Sequence, residues 1–160
     1  GEKKFVNTFI AGAADLVGVA LVIGVARSIN LILENGKISD TLLYVSSNGI
    51  QGMDKNIFII LMLVIFIILG FFIPSSSGLA VLSIPIMAPL ADTVGLPRDV
   101  IVSAYQFGQG LISFITPTGL ILATLAMVDV TYNKWLKFIM PLMGIIAAFA
   151  ALLLLVQVHF

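Results

Sequence analysis

Gly70-Phe71-Phe72-Ile73-Pro74-Ser75-Ser76-Ser77-Gly78 separates two apolar runs. Seventeen residues without a charge, Ile57 to Ile73, lead into the stretch, and Leu79 to Ala91 lead out. Proline has no N–H, so a helix reaching Pro74 is broken or kinked. Gly78 admits backbone angles that other residues resist. At membrane depth, irregular backbone is tolerated only where it is buried in protein or lines a watery cavity. Three hydroxyls concentrated at such a break mark a candidate functional centre.

Composition sets the class. The chain is 60% hydrophobic and 10% charged, with mean hydropathy +1.17, against about 45–50% apolar and about 25% charged in a soluble domain. Several runs approach the ~20 apolar residues that cross a bilayer. These features predict an all-α integral membrane protein in contact with lipid. The formal net charge of +0 recommends no nucleic-acid partner, and the absence of cysteine excludes disulfide and thiolate chemistry. The opening Gly-Glu-Lys-Lys lacks Met and is not a signal peptide, so a piece of a longer polypeptide is expected.

Outward from the centre, a helix is expected over 5–33, with Lys3 and Lys4 anchoring its start at the headgroups. Asp15 and Arg27 are twelve apart, about 120° around a helix, and do not pair within it. Ala11, Asp15, Gly18 and Val22 share a face suited to close helix packing. Asp15 lies near mid-membrane, where an acid is costly and is a functional candidate by default. A structural brace hydrogen-bonded to its neighbours is the plainer reading. Arg27 is placed to snorkel to the headgroups.

Residues 34–55 form an interfacial segment with a short helix, 39–47, capped by Ser39. Residues 56–92 are the two arms around the break. They are read as a re-entrant hairpin because the turn carries no charge, whereas Lys55, Asp92, Arg98 and Asp99 flank it. The second arm holds Pro85 and Pro89 and is expected to kink twice.

Pro97-Arg98-Asp99 reads as a helix start. Along that helix Tyr105, Gln106, Gln109, Ser113 and Thr116 fall within a sector of about 100°. A polar stripe on an apolar helix faces protein or water rather than lipid. Thr116-Pro117-Thr118-Gly119 then makes a second break, so 98–128 reads as a discontinuous transmembrane helix rather than a simple proline kink. A last helix, 134–157, follows, with Trp135 in the aromatic belt. Lys3, Lys4, Lys134 and Lys137 oppose Lys37, Lys55 and Arg98, a bias toward a cytoplasmic N-terminus.

Enzyme chemistry finds no support. No His, Cys and acid cluster has metal-binding spacing. A serine nucleophile needs a nearby base, and the one histidine, His159, is terminal. What remains is two interruptions. Each frees carbonyls that can hold a cation, leaves a helix N-terminus suited to an anion, and gathers hydroxyls. Secondary transporters place substrate and coupling ion at such sites.

The run Pro74 to Ala91, followed by Ala-Tyr-Gln-Phe-Gly-Gln-Gly (104–110) and Ile-Thr-Pro-Thr-Gly-Leu-Ile-Leu-Ala (115–123), resembles the C-terminal half of the YfcC-like group of the C4-dicarboxylate anaerobic carrier family. The resemblance covers essentially the whole chain. It extends to the divalent-anion/sodium symporters and the basic amino-acid antiporters. It implies two inverted repeats, each with a re-entrant hairpin and a broken helix, usually in a homodimer. This chain would be the second repeat, and the N-terminal repeat its missing partner.

The symporters carry Ser-Asn-Thr at the hairpin tip, and the matching residues here are Ser75, Ser76 and Ser77. Ser76 thus replaces an amide that could bind a carboxylate. By resemblance, substrate contacts fall on Ser75, Ser76, Ser77, Thr116 and Thr118, with Gln106 and Gln109 lining the approach. Backbone of Ser75, Ser77, Gly78, Thr116, Pro117 and Gly119 is the candidate Na+ site. No other cofactor is implied.

The expected function is secondary active transport of a small organic ion, a C4-dicarboxylate or a basic amino acid, across the cytoplasmic (inner) membrane by a multi-pass carrier using alternating access. The competing expectation is a non-transporting membrane subunit whose breaks serve packing alone.

Overall fold

The computed structural model describes residues 1–38, 41, 44–45, 53–73, 75–117 and 120–159. Within the first helix only backbone is described at 15–16, 18–19, 22–27, 29–30 and 33–34, and the same holds for 120. The expected Ser39 cap lies outside the described residues, as do the Asp15 and Arg27 side chains. Six helices have described bounds: α1 (Glu2–Asn35), α2 (Lys55–Phe72), α3 (Ser76–Thr93), α4 (Arg98–Ser113), α5 (Leu120–Met127) and α6 (Tyr132–Gln157); residues 38, 41, 44 and 45 are helical as well. No strand occurs among the described residues. Helices α2, α3 and α6 are long and apolar enough to cross a membrane.

Local chemistry explains the ends. Asp54 caps α2, its carboxylate accepting from Asn56 N–H at 2.9 Å. The end of α3 is a Schellman motif. Leu96 N–H reaches Ala91 O at 2.9 Å and Gly95 N–H reaches Asp92 O at 3.1 Å. Gly95 sits at φ +68, where a Cβ is disfavoured. Across this turn Arg98 pairs with Asp92 at 2.6 Å, on the exposed surface, where such a pair contributes little. Pro97 is the N-cap of α4 rather than its first residue, a shift of one position.

Helix α3 runs unbroken through Pro85 and Pro89. The two prolines are exposed, so their rings and the carbonyls they leave unbonded lie on the outer face of α3. Helix α5 ends on a second Schellman motif, with Val130 N–H on Leu125 O at 3.0 Å and Asp129 at φ +53. Asp129→Gly therefore removes a left-handed-backbone penalty. The expected gain is about 1 kcal/mol, read as a higher Tm.

Lipid is as apolar as leucine, so close packing, not burial from water, holds membrane helices together. Helix α2 packs most extensively on α4, and α3 packs mainly on α4, touching α2 only slightly. The α2–α4 seam is tight because it contains two glycines. A Cβ on Gly108 would meet Phe66 Cβ at 2.7 Å and the backbone Ile67 N and Leu63 O at 3.1 Å. A Cβ on Gly70 would strike Gln109 Oε1 and meet Ile112 Cγ2 at 2.8 Å. Phe58, Ile59, Met62, Phe66, Val100, Ile101 and Ala104 fill the seam and are buried.

These contacts fix direction. Gly108 faces residues 63–67 and Gly70 faces 109–112, so the numbers rise together and α2 and α4 are parallel. A Cβ on Gly95 would meet Lys55 Nζ at 3.5 Å, so the start of α2 lies beside the turn that opens α4. The chain goes up through α2, returns through α3 and rises again through α4. Ile73 is about one turn beyond Gly70, which places it level with residues 112–116, while the bond from Tyr105 to Ser76 O holds the start of α3 lower along α4.

Helix α6 runs antiparallel to both. Its residues Met140, Met143 and Ala147 border a cavity of about 220 Å³ with Ile67 and Leu111, while Leu155 borders another with Asn56–Val64. Residues 129–134 and 92–99 therefore lie at opposite ends. Helix α1 has its main contact with α5. Ala11 is exposed, so the small-residue stripe meets no helix at that described position.

Candidate functional site

The first break is narrower than the sequence suggested. Non-helical backbone covers Ile73 and Ser75, with Pro74 outside the described residues, and Ser76, Ser77 and Gly78 are already the first turn of α3. Ser75 is the N-cap, and its Oγ accepts from Gly78 N–H at 3.1 Å. Gly78 has no positive φ. It is needed because a Cβ there would crowd Ser75 Oγ at 3.0 Å. Ser75→Ala should cost about 1 kcal/mol, measured as a lower denaturation midpoint.

The same geometry bears on the carbonyls expected to ligate Na+ at the tip. Ser75 O accepts from Leu79 N–H at 2.8 Å. The Ser77 and Gly78 carbonyls belong to α3 and point along it, away from its N-terminus. What the tip offers is the opposite polarity: the N–H groups of Ser76 and Ser77 have no acceptor within the helix. The side chains of Ser75, Ser76 and Ser77 are exposed.

Sequence reasoning placed Tyr105 in the stripe but not in the site. The structure gives it a specific task. Its ring stands edge-on to Phe66, centroids 5.6 Å apart, and its hydroxyl donates to Ser76 O at 2.6 Å. Helix α4 thereby holds the first turn of α3 at the tip.

The stripe itself divides. Tyr105, Gln109 and Thr116 are buried, whereas Gln106 and Ser113 are exposed. Gln109 is 8% exposed and its Oε1 is buried without a hydrogen-bond partner. Ser113 donates to Gln109 O, a main-chain bond, at 2.6 Å.

The second break begins where α4 ends. Thr116 is 4% exposed, and its N–H bonds Ile112 O at 2.8 Å. Pro117 is half-buried, and Thr118 and Gly119 lie outside the described residues. Helix α6 supplies two donors that the sequence did not disclose. Trp135 Nε1 donates to Phe114 O at 2.9 Å, and the Tyr132 hydroxyl donates to Ile115 O. Two carbonyls released by the break are thus paired within the protein. The Tyr132 bond also shows that α5 and its following turn bring the chain back beside the break. Trp135 anchors this junction as well as standing near the polar Asn133, Lys134 and Lys137. The signal that could have found both donors is their spacing of three, which puts them on one face of α6.

Tip and break therefore converge on one end of the α2–α4 seam, presenting two N–H groups, exposed serines and the buried Gln109 and Thr116. Neither of the two cavities described above includes any of these residues. Among the described residues no His, Cys, Asp and Glu cluster could hold a metal.

Comparison with known proteins bears on this arrangement. A family model described as C4-dicarboxylate anaerobic carrier matches residues 1–159. A Haemophilus influenzae protein, described as uncharacterized, is 54% identical over 157 residues, 98% of this chain and 31% of that protein. The Escherichia coli putative basic amino acid antiporter YfcC is 37% identical over 146 residues, 88% of this chain and 29% of that protein. The chain thus spans less than a third of the length of these curated relatives. No solved structure matches. Carrier and antiporter are transport descriptions, not enzyme descriptions. On a match that runs the length of the sequence, the chain belongs to the C4-dicarboxylate anaerobic carrier family.

Proposed function

We propose that this chain is the second repeat of an inner-membrane secondary carrier that moves a small organic ion by alternating access. The observation that carries the reading is the parallel register of α2 and α4, which sets tip and break side by side. In this reading the α2–α3 hairpin re-enters the membrane and does not cross it. An inverted first repeat supplies the other half of the cavity, and two copies associate. A carboxylate of the solute meets the N–H groups of Ser76 and Ser77, where the α3 dipole favours negative charge. Dicarboxylates and basic amino acids both carry that group. Thr116 and Thr118 meet the solute from the break, and Gln106 lines the approach. A coupling Na+, where used, draws ligands from the backbone of the break at 116–119.

A second reading has one observation in its favour. Tyr132 and Trp135 already satisfy the Ile115 and Phe114 carbonyls, which is what a break serving packing alone requires.

Uptake of malate, citrate, arginine and ornithine by the full-length carrier separates the two. Ser76→Ala or Thr118→Ala, expressed normally, is expected to lose uptake and solute-induced thermal stabilisation. Unchanged uptake in both variants assigns the breaks to packing.

A further inference from the structure

Gln109 is the one buried side chain at the seam with an unmet acceptor among the described residues. Its two hydroxyl neighbours on α4 are committed elsewhere. Tyr105, four residues before it, donates to Ser76 O at 2.6 Å, and Ser113, four after it, donates to the Gln109 main chain at 2.6 Å. On the facing helix Gly70 offers no donor, only the room that its missing Cβ leaves.

An unsatisfied buried carbonyl is costly, whereas an apolar residue of similar shape would remove that cost. An unpaired buried acceptor calls for a partner, which a bound solute can supply. The oxygen lies against Gly70, so a donor at the tip reaches it once the carboxamide turns about its last bond, and the oxygen itself gives up no hydrogen bond in turning. Gly70 is about one turn before Ile73, and Gln109 is about one turn after Tyr105, whose hydroxyl holds Ser76, so the oxygen lies within about one helical turn of the tip.

We infer that Gln109 Oε1 accepts a hydrogen bond from a cationic N–H group of the solute, an ammonium or guanidinium, while the solute's carboxylate is held at the tip. The inference rests on the carrier reading above and narrows it to a solute with both a carboxylate and an N–H donor. A dicarboxylate at neutral pH offers no cationic donor, so Gln109 discriminates between the two solute classes.

The test uses the full-length carrier, with arginine and malate as probes and thermal stabilisation and uptake as readouts. Gln109→Leu is expected to weaken arginine binding about tenfold and to raise the Tm of the solute-free protein, which shows that the variant folds. Gln109→Glu keeps an acceptor and is expected to bind arginine at least as well as the parent. The inference is overturned if Gln109→Glu loses arginine as severely as Gln109→Leu, or if Gln109→Leu binds arginine unchanged. Malate stabilising the parent while arginine does not would overturn the inference and leave the carrier reading standing. A parent protein stabilised by and transporting neither probe, nor citrate nor ornithine, removes the carrier reading and the inference with it.

Discussion

Replacing Gly108 with leucine is expected to destabilise the protein by about 3 kcal/mol or more. A Cβ alone would stand 2.7 Å from Phe66 Cβ and 3.1 Å from main-chain atoms of α2. The main-chain atoms cannot rotate away, so α2 and α4 must part. Parting them moves the tip relative to the break, because Tyr105 and the α2–α4 seam together set that alignment. Thermal unfolding in detergent should show a drop in Tm of several degrees, with solute stabilisation lost in the remaining folded fraction. Gly110 is the internal control, since a Cβ there meets nothing within 4 Å. Gly110→Ala should be neutral or slightly stabilising, because alanine is the better helix former.

Ser76→Pro isolates the solute contact from the fold. Proline is favoured at the first position of a helix, where the N–H has no intrahelical partner. Ser76 holds that position, and Ser75 before it is extended, with φ -86 and ψ 110, as a residue preceding proline should be. The Ser76 carbonyl that Tyr105 uses is retained. The substitution therefore removes one N–H and one hydroxyl from the tip with little change in Tm. If a solute carboxylate takes that N–H, affinity should fall about 10- to 100-fold, the loss of a hydrogen bond to a charged group. Titration by thermal shift against the parent protein measures it. Unchanged affinity would place the solute elsewhere.

The membrane class and the helical architecture were legible because hydropathy reports them directly. So was the helix start at Pro97-Arg98-Asp99, which local chemistry sets, whereas the cap at Ser75 emerged only from the structure. Features that depend on distant residues were not. Gly78 read as a backbone-angle residue, yet its role is to admit the Ser75 hydroxyl. For Gly70 and Gly108, only the facing helix shows that their close contacts set a parallel register. Pro85 and Pro89 do not end the helix: α3 continues through both. The polar stripe on α4 divides in a way that only packing shows: Gln106 and Ser113 are exposed, while Tyr105 and Gln109 are buried. Tyr132 and Trp135 were invisible as donors because their acceptors lie 17 and 21 residues earlier.

The most direct test asks whether one solute covers tip and break together. The chain has no cysteine of its own, so Ser77→Cys and, separately, Thr118→Cys, in a full-length carrier whose other cysteines are replaced, give single reporters at the tip and at the break. Maleimide labelling is followed with increasing solute. Tip and break sharing one site predicts that both thiols are protected, with the same half-saturating concentration. Protection of one thiol while the other reacts at its solute-free rate would contradict a common site.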